Sequence, residues 1–139
     1  MRMAHKSAPH LINDHGMIIV RCVLALTMII HGVARIVLGG VAPFGEFLAS
    51  KGFPFGTALA LLLTLFELIG GATLLARRYV VVLAALFAVE LVVGIILVHG
   101  PEGWFVVGAG RNGMEYSAVL IAGFLAVIAS ERQRQKLNA

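Results

Sequence analysis

Five ionisable side chains interrupt the apolar stretches of this 139-residue chain. Arg21, His31 and Arg35 lie in the first stretch, and Glu67 and Glu90 lie singly in the next two. Such a group costs at least about 2.5 kcal/mol inside a bilayer unless it is paired, so it marks a candidate functional site. An imidazole, a guanidinium and a carboxylate that converge between helices can hydrogen-bond a carbonyl compound and carry protons.

The candidate roles follow from side-chain chemistry and from depth along each helix. His31 and Glu67 are the candidate catalytic residues, because either can act as a proton carrier. Arg35, His99 and Glu115 are the candidate ligand-binding residues. At 1.5 Å per residue, His31 lies about 21 Å from the start of its stretch and Glu67 falls near the middle of its own. We expect four of these side chains, His31, Arg35, Glu67 and Glu115, to converge in the outer half of the bundle.

Arg21 and Glu90 are assigned a structural or ion-pair role. Two arginines and two glutamates in the apolar stretches balance to zero, which would suit internal ion pairs that only set helix register. Glu90 and His99 are nine positions apart, which places them on opposite sides of a straight α-helix. Either the helix ends before His99 or Glu90 makes a separate contact.

No metal site is predicted. His5, His10 and His15 recur every five residues on the N-terminal tail, a spacing that matches no common metal geometry. His31 and His99 are one candidate pair of haem ligands, but the chain has no motif for covalent haem attachment. No covalently bound cofactor is therefore expected.

The composition is that of a membrane protein, so these residues must be positioned by elements that lie in a bilayer. The chain is 60% hydrophobic and 13% charged, with a mean hydropathy of +0.96, whereas soluble domains are about one-quarter charged. Its basic residues flank the apolar stretches, a pattern that sets membrane topology and argues against nucleic-acid binding. The single cysteine, Cys22, excludes an intrachain disulfide or dithiol relay.

The hydropathy pattern predicts an all-α membrane protein, a bundle of four transmembrane helices in one domain spanning residues 1–139. The predicted spans are 17–38, 57–76, 79–98 and 114–130, with an interfacial helix at 44–51. Lysine and arginine are concentrated in the segments 1–16, 77–78 and 131–139. Both termini, 1–16 and 131–139, are therefore expected to be cytoplasmic tails.

Four motifs in order, RCVLALTMIIHGVARI, LASKGFP, ELIGGATLL and HGPEGWFVVGAGRNGMEYS, resemble the DoxX family of small four-helix membrane proteins. The resemblance runs from about Arg21 to about Gly123. It matches the family pattern at Arg21, His31, Arg35, Glu67, His99 and Glu115, although lysine is more usual than arginine at position 35. Glu90 has no counterpart in that pattern.

The resemblance implies a multi-pass protein of the cell inner (plasma) membrane with a link to redox chemistry. Some relatives resemble the quinone-reducing membrane subunit of thiosulfate:quinone oxidoreductase. The favoured hypothesis is a quinone-linked subunit that receives electrons from a partner protein. A non-catalytic membrane anchor or assembly factor and a proton-coupled small-molecule transporter are the alternatives. Whether the chain itself is catalytic, and whether it forms a homo-oligomer in the lipid bilayer, are left open.

Overall fold

A computed structural model describes residues 9–107 and 112–139, with side chains from residue 15 onward. The helices, in chain order, are α1 (Pro9–Val37), α2 (Val41–Ser50), α3 (Gly56–Leu75), α4 (Val80–Gly94) and α5 (Glu115–Asn138); α4 runs directly into one π-helical turn, Ile95–His99. The described ranges contain no strand. The predictions for His5 and for the side chain of His10 fall outside the described residues.

Three helices in the described part of the chain are long and apolar enough to cross a membrane: His15–Val37, Gly56–Leu75 and Val80–His99. Their outward faces expose large apolar side chains. Val37 is 75% exposed, Ile69 64% and Ile96 67%. In water such faces would have to be covered, whereas in a bilayer they face the lipid tails. The all-helical membrane fold expected from hydropathy is confirmed to this extent.

The fourth long helix, α5, is not among the three. It begins at Glu115 and ends in the polar segment ERQRQK, so its apolar part is shorter than the helix itself. The helix runs to Asn138, beyond the predicted end of the fourth span at residue 130. Similarly, α1 begins at Pro9, ahead of its predicted span.

The four long helices pack as an antiparallel bundle. α1 packs closely on α3 and also on α5, α5 packs closely on α4, and α4 contacts α3 more loosely. Phe87 of α4 is fully buried at the centre. Its ring centroid lies 4.6 Å from that of Phe66 on α3 and 5.5 Å from that of Phe124 on α5. This aromatic bridge connects three of the four helices.

The short helix α2 lies against the beginning of α3. Their contact depends on two glycines, because a Cβ added to Gly56 would lie 2.1 Å from the carbonyl oxygen of Gly45. Glycine at both positions allows the two backbones to touch. The contact holds α2 at one end of the bundle, beside the last turns of α1.

Candidate functional site

An ion pair between α1 and α3 forms the centre of the candidate site. The Arg35 guanidinium donates to Glu67 through Nη1 to Oε2 at 2.6 Å and through Nη2 to Oε1 at 2.9 Å. Nη1 also donates to the Thr64 hydroxyl at 3.1 Å, and that hydroxyl donates to the Ala60 carbonyl at 2.7 Å. Glu67 is 2% exposed. A planar guanidinium suits this bidentate contact, whereas the ammonium group of lysine could make only one of the two hydrogen bonds in this geometry.

Two local features fix the position of Arg35. At Gly32, α1 comes so close to α3 that an added Cβ would lie 3.2 Å from the Glu67 Cβ. On the other side, the Phe44 ring of α2 lies 4.7 Å from the guanidinium carbon, in a cation–π contact. Helix α2 therefore helps to hold the arginine against Glu67.

Glu90 reaches the same ion pair from α4. Its carboxyl lies within side-chain hydrogen-bonding reach of Glu67 and interacts electrostatically with Arg35. Its Oε2 atom is buried and has no hydrogen-bond partner among the described residues. Two carboxyls therefore face one guanidinium, and one carboxyl oxygen is left unsatisfied. Glu90 had been predicted to have a structural or ion-pair role apart from the site.

The two histidines stand at the edge of this arrangement. His31 of α1 is exposed at the bundle surface and interacts electrostatically with Glu67, Arg35 and His99. His99 lies at the end of the π-helical turn, and its Nδ1–H donates to the Asn112 carbonyl at 2.8 Å. Since Nδ1 is occupied, Nε2 is the nitrogen left for other contacts.

The π-helical turn resolves the geometric conflict between Glu90 and His99. The Gly100 N–H donates to the Ile95 carbonyl five residues earlier at 2.7 Å. Such a turn takes about one residue more than an α-helical turn, so later side chains are rotated back by about 100°. This rotation turns His99 towards the helix face that carries Glu90 and Gly94, since a Cβ added to Gly94 would lie 4.0 Å from His99 Cδ2, and His99 interacts electrostatically with His31. Single π-helical turns often occur at functional sites for this reason.

We call His31, Arg35, Glu67, Glu90 and His99 the polar cluster. It combines one fixed cation, two carboxyls and two imidazoles, contributed by α1, α3, and α4 with its π-helical turn. Groups of this kind can accept, hold and release protons, and their N–H groups can donate to an oxygen ligand.

Two predicted site residues lie elsewhere. Arg21 donates through Nη1 to the carbonyls of Leu74 and, at 2.9 Å, Leu75, where α3 ends. It therefore adds a charged donor at the end of α3, to the Leu75 carbonyl and to the Leu74 carbonyl, which also accepts the Arg77 N–H. Glu115 accepts a hydrogen bond from the Val106 N–H at 2.9 Å. The structure gives Glu115 a role in holding the loop before α5 and records no contact between it and the polar cluster.

Two contacts of Arg35 were absent from the predicted site. Thr64 precedes Glu67 by three residues and so shares its helix face, a spacing that is readable from the sequence. Phe44 had been placed only on an interfacial helix. No sequence signal pointed to its contact with the arginine, because that contact depends on how α2 docks on α3.

Comparison with known proteins agrees with this architecture. No curated protein and no solved structure matches the chain. The model of the DoxX family matches residues 16–100, which is more than half of the chain and includes every member of the polar cluster. The match ends before Glu115 and before α5. The chain is therefore an integral membrane protein that belongs to the DoxX family.

Proposed function

We propose that this protein is the membrane subunit of a quinone-linked redox system, in which the polar cluster binds a quinone headgroup and exchanges protons with it. The observation that carries the proposal is the pair of carboxyls, Glu67 and Glu90, that share the single guanidinium of Arg35 beside two histidines. This arrangement holds more proton-accepting groups than an ion pair that only sets helix register would need.

The charge balance of the cluster supports proton exchange. One guanidinium and two ionised carboxylates would leave one net negative charge inside the bundle, where an uncompensated charge is costly. Two carboxyls in hydrogen-bonding reach can relieve this cost by sharing one proton. The Glu67–Glu90 pair would then hold a proton that His31, exposed at the bundle surface, passes to a ligand.

The residues present fit a quinone headgroup. A quinone supplies two carbonyl oxygens that accept hydrogen bonds and take up protons when the ring is reduced. The His31 ring can donate to one such oxygen, and the unsatisfied Glu90 Oε2 can carry the proton that such an oxygen takes up. Because α3 and α4 contact each other only loosely, a lipid-soluble ligand would approach the cluster between these two helices.

The electrons would come from a partner protein at the membrane. A single cysteine cannot form a dithiol within this chain, so the protein's own share of the chemistry is binding and proton transfer. Because quinones are dissolved in the inner (plasma) membrane, we place the protein there. Association with a second copy of the chain is compatible with this role.

We further propose that α5 is the fourth transmembrane span and that both termini are cytoplasmic. The packing of α5 against α4 and α1 supports this topology, as does the run of arginines and lysine at its end. A fluorescent protein fused after Ala139 should fluoresce in the cytoplasm. With only three crossings, the two termini would lie on opposite sides of the membrane.

Quinone binding to the purified protein tests the main proposal. Trp104 is the only tryptophan, so quenching of its fluorescence by a short-chain quinone in nanodiscs reports on one place in the chain. The wild type should show saturable quenching. His31→Ala and Glu90→Gln should each weaken the apparent affinity about tenfold, the effect of losing one hydrogen bond to a charged or strongly polar partner.

The matched control is Glu46→Gln, which neutralises an exposed carboxylate on α2 outside the cluster and should leave the affinity unchanged. Absence of saturable quenching in the wild type would refute the proposal. Equal weakening by Glu46→Gln would also count against it, because the effect would then reflect general charge.

A non-catalytic anchor or assembly factor is the second candidate function, because Arg35 and Glu67 satisfy each other within the bundle without a ligand. A two-pronged pair with a buried carboxylate would hold α1 against α3 whether or not a ligand binds. If Arg35→Gln and Glu67→Gln lower the amount of folded protein while quinone affinity per folded molecule is unchanged, this role is favoured. A loss of affinity in folded protein favours the quinone site.

A further inference from the structure

A small pocket lies at the end of the bundle opposite the polar cluster. Its volume is about 90 Å³. The lining comes from the first half of α1, the turn after α3 and the second half of α5; it consists of Met17, Ile18, Arg21, Arg77, Val127, Ser130, Glu131 and Arg134. Three of these residues are arginines and one is acidic, so the pocket has an excess of positive charge.

The single carboxylate does not satisfy the arginines. Glu131 lies 3.6 Å from Arg77 and 3.5 Å from Arg134, at the long end of ion-pair contact. The Arg77 and Arg134 side chains are 37% and 41% exposed, but the Nε atom of Arg134 is shielded and has no hydrogen-bond partner in the described part of the chain. Arg21 is 7% exposed and bonded to neutral carbonyls, so its charge also lacks a carboxylate. A buried N–H without an acceptor normally marks a missing ligand or water.

The backbone at Arg77 adopts a conformation that is strained for any residue with a side chain. Helix α3 ends in a Schellman motif, in which the Arg78 N–H donates to Thr73 and the Arg77 N–H donates to Leu74, each at 3.0 Å. Arg77 occupies its left-handed position, with φ of 59°. Glycine is the usual residue at that position because it adopts positive φ without strain. A glycine would leave the pocket without the Arg77 guanidinium.

We propose that this pocket binds a phosphate group, supplied by the headgroup of an anionic phospholipid. Three guanidiniums around a small cavity suit the oxygens of a phosphate, which accept paired N–H donors. Met17 and Arg21 lie near the N-terminal end of the apolar part of α1, beside the turn after α3 and the polar end of α5. This position matches the headgroup region. The apolar side chains of Met17, Ile18 and Val127 line the same pocket and suit the non-polar part of a lipid.

Thermal unfolding of the full-length protein in neutral detergent tests the assignment. Short-chain phosphatidylglycerol should raise the unfolding midpoint in a saturable way, and short-chain phosphatidylcholine should not. Arg134→Gln and Arg77→Gly should each weaken the apparent affinity for phosphatidylglycerol about tenfold, as expected when one charge-assisted contact is lost. Arg77→Gly also relieves the positive φ, so the variant should fold.

Arg132→Gln is the matched control, because it removes the same charge two residues away at an exposed position outside the pocket. It should bind phosphatidylglycerol like the wild type. Equal weakening by Arg132→Gln and Arg134→Gln would overturn the proposal, since attraction would then come from the overall charge of this end. Equal stabilisation by both lipids would overturn it as well. Sodium phosphate alone, if it stabilises the wild type but not Arg134→Gln, would support a phosphate site and identify free phosphate as a ligand.

Discussion

The Arg35–Glu67–Glu90 arrangement predicts that neutralising Arg35 and neutralising Glu67 destabilise the protein by different amounts. In a simple ion pair the two losses of stability would be equal. In a lone buried pair, neutralising either member leaves an unpaired charge and costs about 3–5 kcal/mol. Here Glu90 also interacts with both Arg35 and Glu67. Glu90 is therefore an alternative counterion for Arg35. Among the described residues of the cluster, no second guanidinium can pair with the two carboxyls.

Glu67→Gln should therefore destabilise the protein by only about 1–2 kcal/mol. Its amide oxygen still accepts one bond from the arginine, and the Glu90 carboxylate compensates the charge. Arg35→Gln should cost about 3–5 kcal/mol, because two carboxyls lose their cation together with the contacts to Thr64 and Phe44. The double variant Glu67→Gln with Glu90→Gln should cost about as much as Arg35→Gln, since it leaves a buried guanidinium without a counterion.

The assay is unfolding of the purified variants in mild detergent by increasing denaturant, followed by helical circular dichroism. The two carboxyl substitutions should combine to more than the sum of their separate effects, by about 1–2 kcal/mol. Additive effects, or Glu67→Gln as damaging as Arg35→Gln, would show that Glu90 does not support the arginine. That result would refute the shared-guanidinium interpretation on which the proposed proton exchange rests.

Three further changes test the supports of the site. Arg21→Met should lower stability by about 2–3 kcal/mol in the same unfolding assay, because buried carbonyls at the end of α3 lose a charged donor. Gly56→Ala should cost about 3 kcal/mol, because its new Cβ collides with the Gly45 carbonyl and pushes α2 away. Glu115→Ala removes the acceptor of the Val106 N–H, so hydrogen exchange at that amide should accelerate about tenfold.

Two of these changes have a control within the chain. Gly16→Ala meets nothing within 4 Å and should be neutral in the unfolding assay; a cost like that of Gly56→Ala would remove the steric explanation. Glu102→Gln changes an exposed carboxylate in the same loop and should leave exchange at Val106 unaltered. Full stability of Arg21→Met would show that another group satisfies the carbonyls of α3.

The sequence by itself was sufficient for the class of protein and for much of the candidate site. Hydropathy is a property of each segment alone, because a helix in lipid satisfies its own backbone hydrogen bonds. Three membrane-crossing helices could therefore be read without knowing their neighbours, and the family resemblance was confirmed. His31, Arg35 and Glu67 were predicted to approach one another; Arg35 and Glu67 form an ion pair in the structure, and His31 lies about one turn before Arg35 on α1.

Only the tertiary structure decided which polar groups meet. Glu90 joined the cluster because α4 lies beside α3, and His99 joined it because a π-helical turn changed the phase of the helix after Gly94. Arg21, assigned from charge balance, and Glu115, assigned as a ligand-binding residue, instead bind backbone groups. The physical reason is that partner choice depends on helix neighbours, rotation and register, which a one-dimensional pattern of apolar residues leaves undetermined.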